Sequence, residues 1–359
     1  MNFNREQYFK RQTTLSEIGE KGQQLLQQAK VLVIGCGGLG NPVAIYLATS
    51  GVGELHLVDF DTISISNLHR QVFYKIEDIG KPKTKVLADE IKKRTPFTQV
   101  TFTNKAIDKD SILNLILKYD IVVDGTDSLP IKYLINDTCV LAKKPLVYGS
   151  LYKFDGYVAT FNVLGENGEY TCNLRDAFPK IATDIPNCEE AGTLNPIVGL
   201  IALLQVNEVI KLITKKGKLL VNQLLIYNAL QNTQFKIKLK KNKKLNIEEV
   251  FENSTYLDAN CTLQDSTLLI TAAELKKSIS DSAIEIVSIL TNFDETIPFS
   301  VHQKIPYKTF DIANFKPNFK KKYIIICARG ITSYAVTLKI KEKYPLLSVL
   351  SLSGGITKY

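Results

Sequence analysis

The sequence lacks the features that mark secreted and membrane proteins. Its N-terminal stretch, MNFNREQYFKRQ, is polar, so we expect no signal segment there. We find no apolar run that approaches the roughly 20 residues needed to cross a bilayer, and a membrane partner is not expected. The 6 cysteines are scattered over 359 residues, unlike the dense spacing of a disulfide framework. These absences predict a protein of the reducing cytoplasm.

Length and charge set broad bounds on the function. A chain of 359 residues with 45% apolar content is long enough for two packed domains. The formal net charge is +9, and part of it comes from lysine-rich runs at 240–244 and 320–322. Such runs are usually solvated surface, so we do not expect nucleic-acid binding. A basic face also suits ATP and an acidic protein partner.

Strand-like apolar runs alternate with helical patterns along most of the chain. Strands are predicted at 31–34, 55–58, 100–103, 121–123, 145–148 and 156–163, with a strand pair at 219–227 and 234–239. Helices are predicted at 43–49, 84–93, 110–117, 131–142 and 196–213. This alternation predicts an α/β fold with a doubly wound, mostly parallel, Rossmann-like sheet. Ligands of such sheets bind beyond the carboxyl ends of the strands.

A lysine- and asparagine-rich segment indicates where the first domain ends. We expect a first domain at 1–245, a polar linker at 246–262 and a second domain at 263–359. The last segment alternates again, with helices predicted at 272–278 and 333–343 and strands at 284–289, 323–327 and 347–350. The second domain is therefore expected to be a smaller α/β unit.

The first predicted strand runs into a glycine-rich turn that precedes a helix. The candidate ligand contacts in this turn are Gly35, Gly37, Gly38 and Gly40. Glycines let backbone N–H groups approach a phosphate or a sugar edge. Asp59 ends the second strand, where a carboxylate can hold ribose hydroxyls. This combination predicts a nucleotide site and leaves dinucleotide redox chemistry and ATP chemistry both open.

Further polar residues follow at positions expected to reach the same sheet edge. They are Asp61, Asn67, Arg70, Gln71, Lys83 and Asp127. Basic side chains can neutralise a triphosphate, and carboxylates can hold Mg²⁺. A hydride-transfer site needs no such clamp, so an NAD-dependent oxidoreductase would leave Arg70 and Lys83 without a role.

These motifs resemble a known family. The segments Gly35–Gly40, Asp59–Asp61, Ser66–Gln71, Lys81–Lys83 and Gly125–Asp127 are similar to those of the adenylyltransferases that activate ubiquitin-like sulfur carriers. The resemblance extends over residues 5–240 and implies ATP and Mg²⁺ as cofactors.

The same resemblance assigns individual roles. It implies that Arg70 and Lys83 bind phosphates, that Asp59 holds the ribose, and that Asp127 holds Mg²⁺. It also implies a homodimer in which Arg11, within Tyr8–Gln12, reaches into the ATP site of the partner copy.

Two cysteine positions need separate treatment. Members of the family commonly carry two Cys-x-x-Cys pairs that bind structural zinc, but here the first place reads Glu169–Cys172 and no cysteine lies near Lys240. Tetrahedral zinc needs four ligands, so no zinc is expected. The resemblance also implies an acyl link between Cys188 and the carrier. The flanking Glu189 and Glu190 oppose thiolate formation, so a loop cysteine without chemistry is the alternative.

The second domain carries a motif of its own. An apolar run at 324–326 leads to Cys327, and Ala328–Ser333 leads into a helix. A thiol there faces backbone N–H groups and the positive end of the helix dipole, which favours an anionic sulfur. This loop and Leu352–Ile356 resemble rhodanese-like sulfurtransferases over residues 263–359, which implies a persulfide on Cys327. A degenerate domain that only binds a partner is the alternative.

Together the resemblances imply an enzyme that uses ATP to adenylate the C-terminal glycine of a ubiquitin-like sulfur carrier. Cys327 would then supply sulfur to form a thiocarboxylate, with a cysteine desulfurase as the expected sulfur donor. The expected pathway is thiamine-thiazole or molybdopterin biosynthesis. The competing interpretations are an NAD-dependent oxidoreductase and a non-catalytic scaffold that binds a carrier protein.

Overall fold

The structure is a computed structural model that describes residues 4–179, 192–254, 256, 265–290, 297–328, 330–356 and 359. The chain divides into two units, Met1–Tyr256 and Leu257–Tyr359. Each unit has its own sheet and its own buried apolar side chains.

The first unit is built on an eight-stranded sheet. Its strands are β1 (Lys30–Ile34), β2 (Glu54–Val58), β3 (Gln99–Thr103), β4 (Ile121–Asp124), β5 (Leu146–Tyr152), β6 (Asp155–Phe161), β7 (Gln223–Asn228) and β8 (Thr233–Lys238). They are ordered β3-β2-β1-β4-β5-β6-β7-β8. Strands β1 to β5 are parallel, and β6, β7 and β8 are antiparallel to their neighbours. The predicted doubly wound, mostly parallel α/β sheet is confirmed.

Helices pack on this sheet because its central strands are apolar on both faces. They are α1 (Arg5–Thr13), α2 (Gly19–Gln28), α3 (Gly40–Thr49), α4 (Lys83–Arg94), α5 (Lys109–Ile116), α6 (Leu129–Leu141), α7 (Leu174–Ala177), α8 (Asn195–Thr214) and α9 (Ile247–Asn253). Helix α3 packs against α4 and α8, and α6 packs against α5 and α9.

The winding of the sheet reverses between β1 and β4. These strands are neighbours in the sheet, while β2 and β3 extend from the other side of β1. A reversal of this kind leaves a crevice beyond the carboxyl ends of the two strands. Gly35 follows β1 and Gly125 follows β4, so the glycine turn lies at that crevice.

The first unit ends later than the expected boundary at residue 245. Ile247 and Phe251 on α9 are buried. Beyond α9, the hydroxyl of Tyr256 donates a hydrogen bond to Asp137 Oδ2 on α6 at 2.5 Å. The first part of the expected linker is therefore packed on the first unit. Two apolar residues four positions apart give this helix a buried face. The residues around them are mostly polar, so the helical period is too weak to be recognised from the sequence.

Helix α8 corrects the expectation that no apolar run approaches the length needed to cross a membrane. With 20 residues it is long and apolar enough, by length and composition, to cross a membrane. It packs against α3 and strands β5 and β6. Within it, Glu208 is buried and accepts hydrogen bonds from Thr160 Oγ1 and Leu220 N. Half of its apolar window is buried in the structure.

The second unit has a five-stranded parallel sheet ordered β11-β10-β12-β13-β9. Its elements are β9 (Leu269–Ile270), α10 (Ala272–Ser278), β10 (Ile284–Ser288), β11 (Gln303–Lys304), β12 (Lys322–Ile326), α11 (Ile331–Lys343) and β13 (Val349–Leu352). Strands β9 and β11 were not predicted, because two residues are too few to show a period. The last strand begins two residues later than predicted.

Candidate functional site

The glycine turn after β1 packs backbone against backbone. Gly35 has a φ of +89°, and a Cβ on it would lie 2.7 Å from the carbonyl carbon of Gly125. A Cβ on Gly40 would lie 1.7 Å from Gly35 O. Only glycine fits at these positions. The turns that follow β1 and β4 therefore come together as one floor of the crevice.

The other two glycines of the turn have different surroundings. A Cβ on Gly38 would lie 2.8 Å from Val198 Cγ1 on α8, so this position allows close helix packing. A Cβ on Gly37 would have Gln71 Nε2, at 3.6 Å, as its nearest described neighbour. Gly37 is thus the glycine of the turn with open space beside it.

Asp59 is tied to the turn by hydrogen bonds. Its Oδ2 accepts from Cys36 N at 2.6 Å, and its Oδ1 accepts from Asp61 N at 2.8 Å. Burial raises the pKa of Asp59 above its usual value of 3.8, and the charge of Lys83 opposes that rise. The carboxylate stands at the end of β2, where sheets of this kind hold a ribose.

Lys83 begins α4 beside the same carboxylates. Its Nζ lies 2.8 Å from Asp61 Oδ2, and its side chain is 6% exposed while that of Asp61 is 47% exposed. The hydroxyl of Tyr74 reaches Cys36 O at 2.8 Å and Lys83 O at 3.3 Å. Burial raises the pKa of Tyr74 well above its usual value, so the hydroxyl keeps the proton it donates. A desolvated ammonium beside an accessible carboxylate can exchange that partner for a phosphate oxygen.

A short 3₁₀ turn, Ile65–Asn67, places the next polar side chains. Asn67 Oδ1 accepts from Ser64 N at 3.1 Å, which uses one of its polar atoms to close the turn. Arg70 is partly exposed, and its Nη1 donates to Ser66 O at 2.8 Å. The guanidinium keeps further donors for an anionic ligand.

Gln71 is a buried residue with an unmet hydrogen-bonding capacity. Its Oε1 is buried and has no hydrogen-bond partner among the residues that the structure describes. Its Nε2 is the atom nearest to the open side of Gly37. An unpaired buried acceptor is costly, and a bound ligand is one way of satisfying it. This observation fits a nucleotide at the turn.

Asp127 follows β4 and is exposed to solvent. Within the described ranges it makes no hydrogen bond or ion pair. The same ranges contain no group of three or more His, Cys, Asp or Glu side chains arranged for a metal. Mg²⁺ is commonly held by one or two carboxylates together with substrate phosphates. Asp127 fits such a shared site, in which the remaining oxygens come from the ligand.

The decisive comparison is with protein-family models. The ThiF family model matches residues 9–247, which include the glycine turn and every polar residue described so far in this site. The chain belongs to the ThiF family.

Two ThiF-family relatives cover different shares of the chain. The sulfur carrier protein adenylyltransferase of Thermus thermophilus is 38% identical over 66% of this chain and 88% of its own length. MOCS3 of Culex quinquefasciatus, called adenylyltransferase and sulfurtransferase, is 33% identical over 99% of this chain and 76% of its own length. The match to MOCS3 of Caenorhabditis briggsae is 38% identical but spans 58% of that protein.

A solved structure gives the same fold. The complex of Escherichia coli MccB with ATP aligns with a TM-score of 0.56 and 27% identity, over 63% of this chain and 68% of MccB. MccB is thus a structural relative of the first unit.

Arg11 and Cys188, which the family resemblance also assigns to the site, need separate description. Arg11 is exposed on α1, and in the described part of the chain its side chain makes no hydrogen bond or ion pair. Cys188 lies outside the described residues. The structure of one copy therefore gathers Asp59, Lys83 and the glycine turn without bringing in Arg11.

The positions that the resemblance assigns to zinc hold an unsuitable donor set. Cys172 is buried, and burial raises its pKa to about 11. Across from it, Lys241 Nζ donates to Tyr170 O at 2.6 Å, and Lys243 Nζ lies 3.7 Å from Glu169 Oε1. One protonated thiol among lysines does not make a tetrahedral zinc site. The residues present do not fit zinc.

Cys327 directly follows β12 and is buried, so the strand begins and ends one residue earlier than predicted. Its Sγ accepts from Gly330 N at 3.1 Å and Ser333 N at 3.3 Å, and Ser333 Oγ lies 3.2 Å away. Ser333 Oγ accepts in turn from Ser351 Oγ at 2.8 Å. Donors surrounding a sulfur atom suit an anionic sulfur, as the sequence predicts.

Sequence reasoning missed one charged pair at the nucleotide site. Asp124, the last residue of β4, lies 3.0 Å from Lys132 on α6, and both side chains are buried. Each lies among apolar residues of a predicted buried strand or helix, so the sequence gives no indication that the two charges pair with each other. An acid ending a buried strand, with a lysine on the following helix, is the signal that could have found them.

Proposed function

We propose that the first unit uses ATP to adenylate the C-terminal glycine carboxylate of a ubiquitin-like sulfur carrier protein. The names of the Thermus and Culex relatives and the ATP complex of MccB support this activity. ATP and the carrier are converted to a carrier acyl-adenylate and pyrophosphate. The step turns a carboxylate, which has a poor leaving group, into an ester of AMP.

The residues of the site bind and orient the nucleotide rather than attack it. Asp59 accepts hydrogen bonds from the ribose hydroxyls, and the open side of Gly37 admits the nucleotide to the turn. Lys83 and Arg70 neutralise phosphate charge, and Asp127 would hold Mg²⁺, which supplies further charge neutralisation when bound. Positioning and electrostatic stabilisation of this kind account for large rate enhancements without a covalent intermediate.

The observation that carries the proposal is the desolvated ammonium of Lys83 at the glycine turn. Its side chain is 6% exposed, and its carboxylate partner, Asp61, is about half exposed. Asp61 can therefore turn to solvent when a phosphate replaces it. A triphosphate requires such a cation, whereas a nicotinamide dinucleotide does not.

Exchange of labelled pyrophosphate into ATP tests the proposal. Exchange that depends on a carrier protein ending in Gly-Gly is the expected result. An absence of exchange with every such carrier, together with a change in nicotinamide absorbance on a small substrate, would support an oxidoreductase instead.

For the second unit we propose sulfur transfer through Cys327. A cysteine desulfurase loads Cys327 as a persulfide, whose outer sulfur bonds to the carrier acyl carbon as AMP leaves. A thiol reductant then cleaves the acyl disulfide and releases the thiocarboxylate. The donors around Cys327 Sγ support this role. The carrier would serve thiamine-thiazole or molybdopterin biosynthesis in the cytoplasm.

We further propose a homodimer in which Arg11 of one copy completes the ATP site of the other. The exposure of Arg11 leaves it available for such a contact. Mixing the inactive variants Arg11→Ala and Asp127→Ala should restore part of the exchange activity, since some heterodimers would hold one intact site. A fully active monomer would rule this out.

The purified protein is also proposed to contain no structural zinc, because its donor set does not fit the metal. Elemental analysis that found about one zinc per chain, the stoichiometry of a single four-ligand site, would contradict this.

A further inference from the structure

A buried ion pair lies beneath the loop that carries Asp127. Asp124 Oδ2 and Lys132 Nζ are 3.0 Å apart, with side chains 0% and 2% exposed. Two charges this far from water need good geometry and additional hydrogen bonds to persist in a fold. Both have them, and the hydrogen bonds connect the pair to the site.

The carboxylate of Asp124 holds the start of the loop. Its Oδ1 accepts hydrogen bonds from Thr126 N at 2.9 Å and from Thr126 Oγ1 at 2.7 Å. Its other oxygen faces Lys132. The charge that Lys132 neutralises is therefore the same charge that fixes the backbone one residue before Asp127.

The pair is itself anchored to neighbouring elements. Lys132 Nζ donates to Gly149 O on β5 at 2.7 Å and lies 5.0 Å from the centre of the Tyr148 ring. From α8, Gln205 Nε2 donates to Asp124 O at 2.8 Å. The carboxyl end of β4 is thus held from α6, β5 and α8, so the loop leaves the strand in a fixed direction.

Asp124 and Lys132 are buried and hydrogen-bonded, whereas Asp127 is exposed. Among the described residues, Asp127 has no hydrogen-bond or ion-pair partner. We propose that Asp124, Lys132 and Thr126 are positioning residues that hold Asp127 ready for a divalent cation carried by a nucleotide. The inference rests on the proposed ATP-dependent function. A carboxylate on a fixed loop loses little freedom on binding, and a loosened loop must be ordered when the ligand arrives.

The substitution Thr126→Val tests this positioning with little disturbance of the fold. It removes the hydroxyl that donates to Asp124 and leaves the buried pair intact. The matched control is Thr160→Val on β6, two strands from β4, where Thr160 Oγ1 donates to the buried Glu208 at 2.5 Å. Both variants lose one bond from a threonine hydroxyl to a buried carboxylate, but only the first touches the Asp127 loop.

The measurement is calorimetric binding of ATP to the full chain without carrier, with and without Mg²⁺. Thr126→Val should weaken binding in Mg²⁺ about tenfold, the loss typical of one hydrogen bond to a charged group, and should leave binding without Mg²⁺ unchanged. Thr160→Val should bind like the wild type in both conditions. In an Asp127→Asn background, Thr126→Val should have no further effect, because its action passes through Asp127.

Wild-type affinity in Thr126→Val, or equal weakening in both threonine variants, would overturn the positioning role. The positioning role would also be overturned if Thr126→Val weakened ATP binding about tenfold in the Asp127→Asn background. If the wild type catalyses carrier-dependent pyrophosphate exchange while Thr126→Val binds normally, only this inference fails. If the wild type neither exchanges pyrophosphate nor binds ATP more tightly with Mg²⁺, the proposed function fails with it.

Discussion

Replacing Lys83 by methionine removes a buried positive charge at the glycine turn and keeps most of the side-chain volume. Lys83 Nζ lies 2.8 Å from Asp61 Oδ2, and burial has already removed most of the water around the ammonium. In the variant, Asp59 and Asp61 would stand beside the turn without this counter-charge. A triphosphate entering there would meet carboxylates instead of a cation.

The expected loss is large for activity and small for stability. A preorganised group that stabilises developing charge contributes about 3–4 kcal/mol, or about 10²–10³ in rate. The ion pair itself involves a half-exposed Asp61, so solvent screening limits its contribution to at most about 1 kcal/mol of unfolding free energy. That corresponds to a fall in Tm of roughly 2–4 °C for a unit of this size.

Pyrophosphate exchange at saturating carrier and a thermal melt separate these effects. The matched control is Lys93→Met on the same helix, because Lys93 Nζ is also 2.8 Å from a carboxylate, Glu90 Oε1, but is 67% exposed and lies outside the site. Lys93→Met should keep wild-type exchange. The argument would be refuted if Lys83→Met retained exchange within about threefold of wild type, a change of under 1 kcal/mol, or if both variants lost activity equally.

Three further predictions concern the turn, Asp59 and Cys327. Gly40→Ala should lower the free energy of unfolding of the first unit by about 3 kcal/mol or more in a thermal melt, because the new Cβ would lie 1.7 Å from a carbonyl oxygen. Gly37→Ala is the control and should melt like the wild type, because its Cβ would lie 3.6 Å from the nearest atom. Since burial raises the pKa of Asp59 above 3.8, ATP binding measured by calorimetry should weaken as the pH falls through that raised pKa, and Asp59→Asn should abolish this dependence. Because the folded state binds this proton more tightly than the unfolded chain does, protonation of Asp59 increases the free energy of unfolding. That contribution is present at low pH and is lost as the pH rises through the raised pKa of Asp59. Cys327→Ser should stop thiocarboxylate formation and leave adenylation intact, as followed by mass spectrometry of the carrier; a normal thiocarboxylate yield would reduce the second unit to a binding module.

The nucleotide-binding half of the fold could be predicted because its signals are local. The run before Gly35 is apolar without alternation, which is typical of a strand buried on both faces, and β1 lies there. The predicted helix at 84–93 matches α4 to within a residue at either end. The ends of successive parallel strands must meet at one edge, so the gathering of Asp59 and Lys83 followed from topology.

Long-range pairs could not be predicted in this way. Nothing near Asp124 in the sequence indicates that Lys132 neutralises it, because each is flanked by core residues. The sequence predicts a linker where α9 lies, because only two residues of this helix are buried. They pack against α6, which is distant in sequence. These features depend on which surfaces meet, and a single sequence does not contain that information.

The spacing between Asp59 and Lys83 depends on the backbone of Cys36, a residue between them in space. Cys36 N donates to Asp59 Oδ2, and Cys36 O accepts from Tyr74, whose hydroxyl also reaches Lys83 O. The glycine turn, the end of β2 and the start of α4 therefore form one hydrogen-bonded body. Burial raises the pKa of the Cys36 thiol well above its usual value, so the thiol stays protonated and inert. Tyr74 and the backbone of Cys36 thus set the distance between Asp59 and Lys83.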